Sequence, residues 1–188
     1  MTRLVTFKAL RRVALVALLI PIASMVLAAQ TADSAAITKQ LDEARSHSAL
    51  ARDDAALLDS YIRSRVSWQT HAARLQSMKE HVNNLINDYK QLGAMREEGS
   101  EWQKEGIDRI DPLLRSMADH LGATIKHLND NQNRINLPEY RDYVRANYEL
   151  IDKTHNLIRD FVDYGDARMK ADNLEQKLEL PAQEVAEQ

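Results

Sequence analysis

The sequence predicts an all-α protein: an antiparallel up-and-down four-helix bundle with left-handed coiled-coil-like packing, carried behind an N-terminal signal peptide. Three observations point there. Glycine and proline are scarce, five and four in 188 residues, which argues against turn-rich β architectures and Gly-rich nucleotide loops. No glycine or proline falls between Ala29 and Leu92. Apolar residues in that stretch and beyond recur at alternating steps of three and four, the spacing of one buried helix face.

The chain opens on MTRLVTFKALRR, with Arg3, Lys8, Arg11 and Arg12 and no acid, followed by the uncharged run VALVALLIPIASMVLA. This is the pattern of a secretory signal peptide over residues 1–28, with Val26-Leu27-Ala28 as the cleavage site. The run is short for a spanning helix, which needs about 20 residues, and Pro21 lies inside it. An uncleaved anchor is the alternative, and Arg11-Arg12 also admits twin-arginine export in place of the general route. The expected location is the periplasm or the extracellular space. Cleavage removes four positive charges, so the net charge of −3 becomes −7. A chain of that sign has no electrostatic reason to bind nucleic acid or an anionic bilayer.

One domain is expected over residues 29–180, with helices at about 33–63, 67–97, 100–135 and 138–179. The first seam is Ile37, Leu41, Ala44, Ser48, Ala51, Ala55, Leu58 and Ile62. The second is Trp68, His71, Leu75, Met78, Val82, Leu85, Tyr89 and Leu92. The two are out of phase by three residues, which places a break between Ile62 and Trp68, with Ser64 and Ser67 as N-cap residues. Gly99 suits a helix C′ position, and Ser100-x-x-Gln103 is a capping box that opens the third helix.

The third seam is Ile107, Ile110, Leu114, Met117, Leu121, Thr124, Leu128 and Ile135, with Pro112 inside it as the cause of a kink near Asp108. Pro138 fits the first position of the fourth helix, beside a second box at Asn136-x-x-Glu139. Tyr140, Val144, Ile151, Thr154, Ile158 and Phe161 point inward there, with Gly165 as an interruption before Leu174 and Leu178. Pro181 ends the helix and leaves 181–188 as a disordered tail.

Catalytic signatures are missing: no G-x-S-x-G, H-E-x-x-H, P-loop or dinucleotide fingerprint occurs. Without cysteine there is neither a disulfide nor a thiolate metal site. The many carboxylates are expected on the solvated helix faces. Asp152-x-x-His155 lacks the partner motif that a di-iron centre requires. Trp68 and Trp102 near helix starts are expected to close the core with the indole N–H near water, or to form an exposed aromatic platform. Thr124, Asn131, Asn147 and Thr154 fall on seam positions. Counting from the third turn sets Thr124 beside Asn147, as a buried polar layer that fixes register.

Histidine is the one group with a pattern. His71 lies on the seam, with Tyr140 or Asn131 as its expected hydrogen-bond partner. Antiparallel counting brings His81, Met78, Met117 and His120 within about one turn, an imidazole and thioether set that copper or haem iron uses. The leading expectation is a non-enzymatic exported bundle acting by contact with a protein partner or by self-association. A metal- or haem-binding bundle built on those four residues is the alternative, and a ligand pocket at the Pro112 kink a third.

Overall fold

A serine stands before three of the four helices, and the repetition answers one local need: the first N–H groups of a helix have no carbonyl partner within it. The computed structural model describes residues 32–64 and 66–178, which form helices and turns with no strand among them. Helix α1 spans Ala35–Tyr61, α2 Trp68–Met95, α3 Glu101–Asp130 and α4 Pro138–Leu178. Ser34 accepts from the Ile37 N–H at the start of α1, and Ser67 from the Thr70 N–H at the start of α2. At α3 the Gln103 side chain reaches back to the Ser100 N–H at 3.1 Å, as the capping box predicts. Ser64 has a different role, donating to the carbonyls of Ser60 and Tyr61 at the end of α1. The signal segment 1–28, Pro181 and the tail 181–188 lie outside the described residues.

The four helices pack as a bundle. Helix α1 lies against α2 and α4, and α3 closes the ring on the same two, most thinly on α2. Along each strongly packed pair, residue numbers rise on one helix as they fall on the other. Gln40 meets Asp88 while Asp54 meets Arg74. Trp102 meets Gly165 while Thr124 meets Asn147. Arg45 meets Asp163 while Ser48 meets His155.

Every residue of the predicted α1 seam is buried, as are Ile107 through Leu128 of the α3 seam. Each fully buried leucine or isoleucine contributes about 1.5–3 kcal/mol. On α4 the seam turns by one residue at its far end. Val162 takes the core position assigned to Phe161, because Phe161 lies across Gly106 of α3, where a Cβ would come within 3.2 Å of the ring.

Three expectations about helix breaks need correction. Gly165 does not interrupt α4, which runs through it to Leu178; Trp102 covers it so closely that a Cβ would lie 2.8 Å from the indole. Gly99 is not a left-handed C′ residue, since its backbone is extended at φ −82°. It is small because Ile37 Cδ1 of α1 stands 2.9 Å from where a Cβ would be. Helix α3 ends at Asp130, short of residue 135, because the Asn131 amide donates to the His127 carbonyl and draws the backbone into a 3₁₀ turn at Gln132–Arg134.

These packing distances separate the glycines by role. Gly122→Ala, with open space around it, should raise stability by about 0.5–1 kcal/mol by removing backbone freedom from a helix interior. Gly165→Ala should lower it by about 1–3 kcal/mol through overpacking. Thermal unfolding followed by circular dichroism distinguishes the two signs.

Candidate functional site

At the end of the bundle where α1 gives way to α2, His71 sits on the seam with 1% exposure. Its Nδ1 is 3.1 Å from the Tyr140 hydroxyl, the partner expected from the sequence. The imidazole stands edge-on to Tyr61 and Tyr140, and His127 stacks on the other side of the Tyr140 ring. Burial disfavours charge in both members of the pair: the His71 pKa is lowered and that of Tyr140 raised. Further along α4, His155 meets Ser48 Oγ at 3.0 Å. Its pKa is lowered too, by burial first and then by Arg52 and Arg159.

The polar layer of the last two helices forms as counted. Asn147 donates to Thr124 Oγ1 at 2.5 Å and, through the same nitrogen, to the Tyr143 carbonyl. Thr154 turns its hydroxyl to the Leu150 carbonyl of its own helix, and Asn131 caps α3 instead of joining the layer.

The sequence reading placed carboxylates on the solvated faces, and two of them are instead buried between α1 and α2. Asp88, 5% exposed, receives Gln40 Nε2 at 3.1 Å and lies 2.5 Å from His47 Nδ1. Asp54, 6% exposed, receives Arg74 Nη1 at 2.5 Å and lies 3.7 Å from His81 Nε2. The detectable signal was position: Asp54 and Asp88 each stand three residues after a seam leucine or alanine, at Ala51 and Leu85, so they border the buried stripe.

The four residues suggested for copper or haem lie in different surroundings. Met78 and Met117 are fully buried in the core. His81 faces Asp54 on α1, whereas His120 is exposed on α3, where its backbone carbonyl accepts from Thr124 Oγ1. No hydrogen bond or ring contact joins the two imidazoles, and the described residues hold no group of three or more His, Asp or Glu placed to share a metal ion.

The opposite face of the molecule carries a broad concavity. A cleft of about 850 Å³ runs between α3 and α4 past Pro112, Leu113, Tyr148 and Leu157. It continues into a second, of about 330 Å³, floored by Trp102, Phe161 and Tyr164. Trp102 combines the two roles expected of it: the indole packs on Gly165 and edge-on to Tyr164, and its N–H reaches the Asp33 carboxylate at 2.7 Å. Arg109 lies over the Phe161 ring, 5.4 Å from its centroid. Among the groove acids, Asp108 is held by Arg96 and Asp160 by Arg159, while Glu149 and Asp152 have no Lys or Arg partner among the described residues.

The floor of this groove runs onto an overhang. At 41 residues α4 outlasts α1 and α3, which have 27 and 30, and beyond Gly165 it has passed the starts of both. Tyr164, Ala167, Ala171, Leu174 and Leu178 follow at steps of three and four, all exposed, with Leu178 at 61%. No protein-family pattern, curated protein or solved structure matches this chain.

Two predictions follow from the buried histidines. Tyr140→Phe strands His71 Nδ1 and should cost about 1–3 kcal/mol in denaturant unfolding. Because His71 and His155 are held neutral in the folded chain, the unfolded chain binds more protons just below pH 6.5, the ordinary histidine value. Their contribution is therefore complete above that pH and declines as pH falls through it. Unfolding midpoints measured from pH 7.5 down to 5 should drop, and His155→Gln should flatten the slope.

Proposed function

We propose that this chain is an exported, non-enzymatic bundle with left-handed up-and-down packing, and that it works in the bacterial envelope by holding a basic amphipathic helix of a partner protein. The observation that carries the reading is the apolar groove between α3 and α4 and its continuation onto the overhang of α4. A helix laid along it contacts an aromatic floor of Trp102, Phe161 and Tyr164, and then the leucines of the overhang. The charge of the partner is argued from Glu149 and Asp152, two carboxylates on the groove rim that form no ion pair with Lys or Arg among the described residues. The basic start and uncharged run of residues 1–28 support export.

The test uses the fluorescence of Trp102 in a Trp68→Phe background. A synthetic Leu/Lys amphipathic helix should shift its emission saturably, and Glu149→Lys with Asp152→Lys should weaken binding by about tenfold, some 1.4 kcal/mol. Equal binding of a Leu/Glu helix, or none of either, overturns the reading. Light scattering that shows a stable dimer with the groove covered would assign the surface to a second copy instead.

A further inference from the structure

The two buried aspartates belong to one repeated arrangement. Helix α1 carries Gln40, His47 and Asp54, and α2 carries Arg74, His81 and Asp88, in both cases seven residues apart. Leu41 and Leu58 of α1 correspond in the same way to Leu75 and Leu92 of α2. Because the helices run in opposite directions, the aspartate of each meets the other two groups of its neighbour. Asp88 takes Gln40 on Oδ1 and His47 on Oδ2, and Asp54 takes Arg74 on Oδ1 and His81 on Oδ2. The two cradles are therefore related by an approximate local two-fold axis, but they differ in two ways: His47 meets Asp88 through Nδ1 at 2.5 Å whereas His81 stands 3.7 Å from Asp54 through Nε2, and one residue type is exchanged. Where Asp54 has the permanent cation of Arg74, Asp88 has the neutral amide of Gln40. No Lys or Arg among the described residues pairs with Asp88, whose partners are His47 and Gln40.

We propose that the Gln40–His47–Asp88 cradle binds a divalent transition-metal ion of the zinc class, and that the Arg74 cradle does not. Imidazole nitrogen with carboxylate and amide oxygens is a donor set that such ions accept. Three side chains already converge, with His47 Nδ1 and Gln40 Nε2 at 2.5 and 3.1 Å from the two Asp88 oxygens. A half-turn of the Gln40 amide about its last bond exchanges Nε2 for Oε1 without changing volume. Donor atoms about 2.0–2.2 Å from tetrahedral zinc lie roughly 3.3 Å apart, so His47 has to draw back from Asp88 to admit the ion. Its side chain is 32% exposed, which gives it room to move and leaves a path for the ion and a water ligand. The neutral imidazole of His47 meets the metal through Nδ1 with its proton on Nε2, and no electron is transferred. In the other cradle the guanidinium holds the position that a metal ion would take, and it repels one.

Isothermal titration of the metal-free chain with zinc chloride at pH 7.5 should show one equivalent bound. His47→Gln should weaken the site by about tenfold or more, and binding should fall at pH 5.5. His81→Gln should bind as the parent does. Gln40→Arg, which copies the second cradle into the first, should abolish binding with the helical circular dichroism unchanged. Absence of binding to the parent overturns the proposal. So does undiminished binding by His47→Gln or Gln40→Arg in a folded variant, and so does an equal loss in His81→Gln.

Discussion

A buried polar side chain tolerates one pairing, whereas an apolar seam tolerates several, and the register of this bundle depends on that difference. Sliding α2 along α1 by one heptad, about 10.5 Å, brings leucine and alanine back against leucine and alanine at little cost. The same slide takes Asp88 away from His47 and Gln40, and Asp54 away from Arg74. A buried carboxylate left without its partners costs about 3–5 kcal/mol, enough to select one register from those that the apolar residues allow. Asn147 with Thr124 performs the same selection between α3 and α4, as His155 with Ser48 does between α4 and α1.

The bundle is also fixed at one end by a single side chain. Gln103, with no exposed surface, accepts from the N–H groups of Ser34 and Ser100 and donates to the Ser34 carbonyl and Thr38 Oγ1. One amide thus satisfies backbone groups at the starts of two helices, α1 and α3. Around the same end, aromatic rings lie on glycines in both directions across α3 and α4, Trp102 on Gly165 and Phe161 on Gly106. Those contacts bring the backbones close and leave the outer edges of the rings facing the groove. The residues that close the core at this end therefore also form the floor of the surface through which the protein is proposed to work.

Core and surface divide the chemistry between them. The α1–α2 seam holds two related acid–imidazole cradles that differ in one residue type, Gln40 against Arg74, and in how closely the imidazole meets the carboxylate. The α3–α4 face holds an aromatic groove with two carboxylates, Glu149 and Asp152, that form no ion pair with Lys or Arg among the described residues, although Arg109 and Lys153 line the same groove. Helix α4 links the regions, since His155 and Asn147 face inward while Leu157, Phe161 and Tyr164 face the groove. A helix with a buried stripe and a second, exposed apolar stripe has packing capacity that the bundle itself does not use.

The sequence alone determined the four helices, their seams and most of their ends. These follow from local rules: a period of 3.6, serine at an N-cap, proline at a first turn. It also determined the pair Thr124 with Asn147, because counting from a short turn sets register for the residues close to it, and it narrowed the partner of His71 to Tyr140 or Asn131. Tertiary structure decided what depends on rotation about a helix axis and on contact across it. Periodicity gives the stripe that faces inward and leaves its borders undefined, so Asp54 and Asp88 read as solvated acids, and the approach of His81 to Asp54 on α1 went unread. Glycine was misread for a related reason. Gly99 and Gly165 are small because Ile37 and Trp102, far away in the chain, stand where a side chain would be, and no local rule records the distance to a residue on another helix.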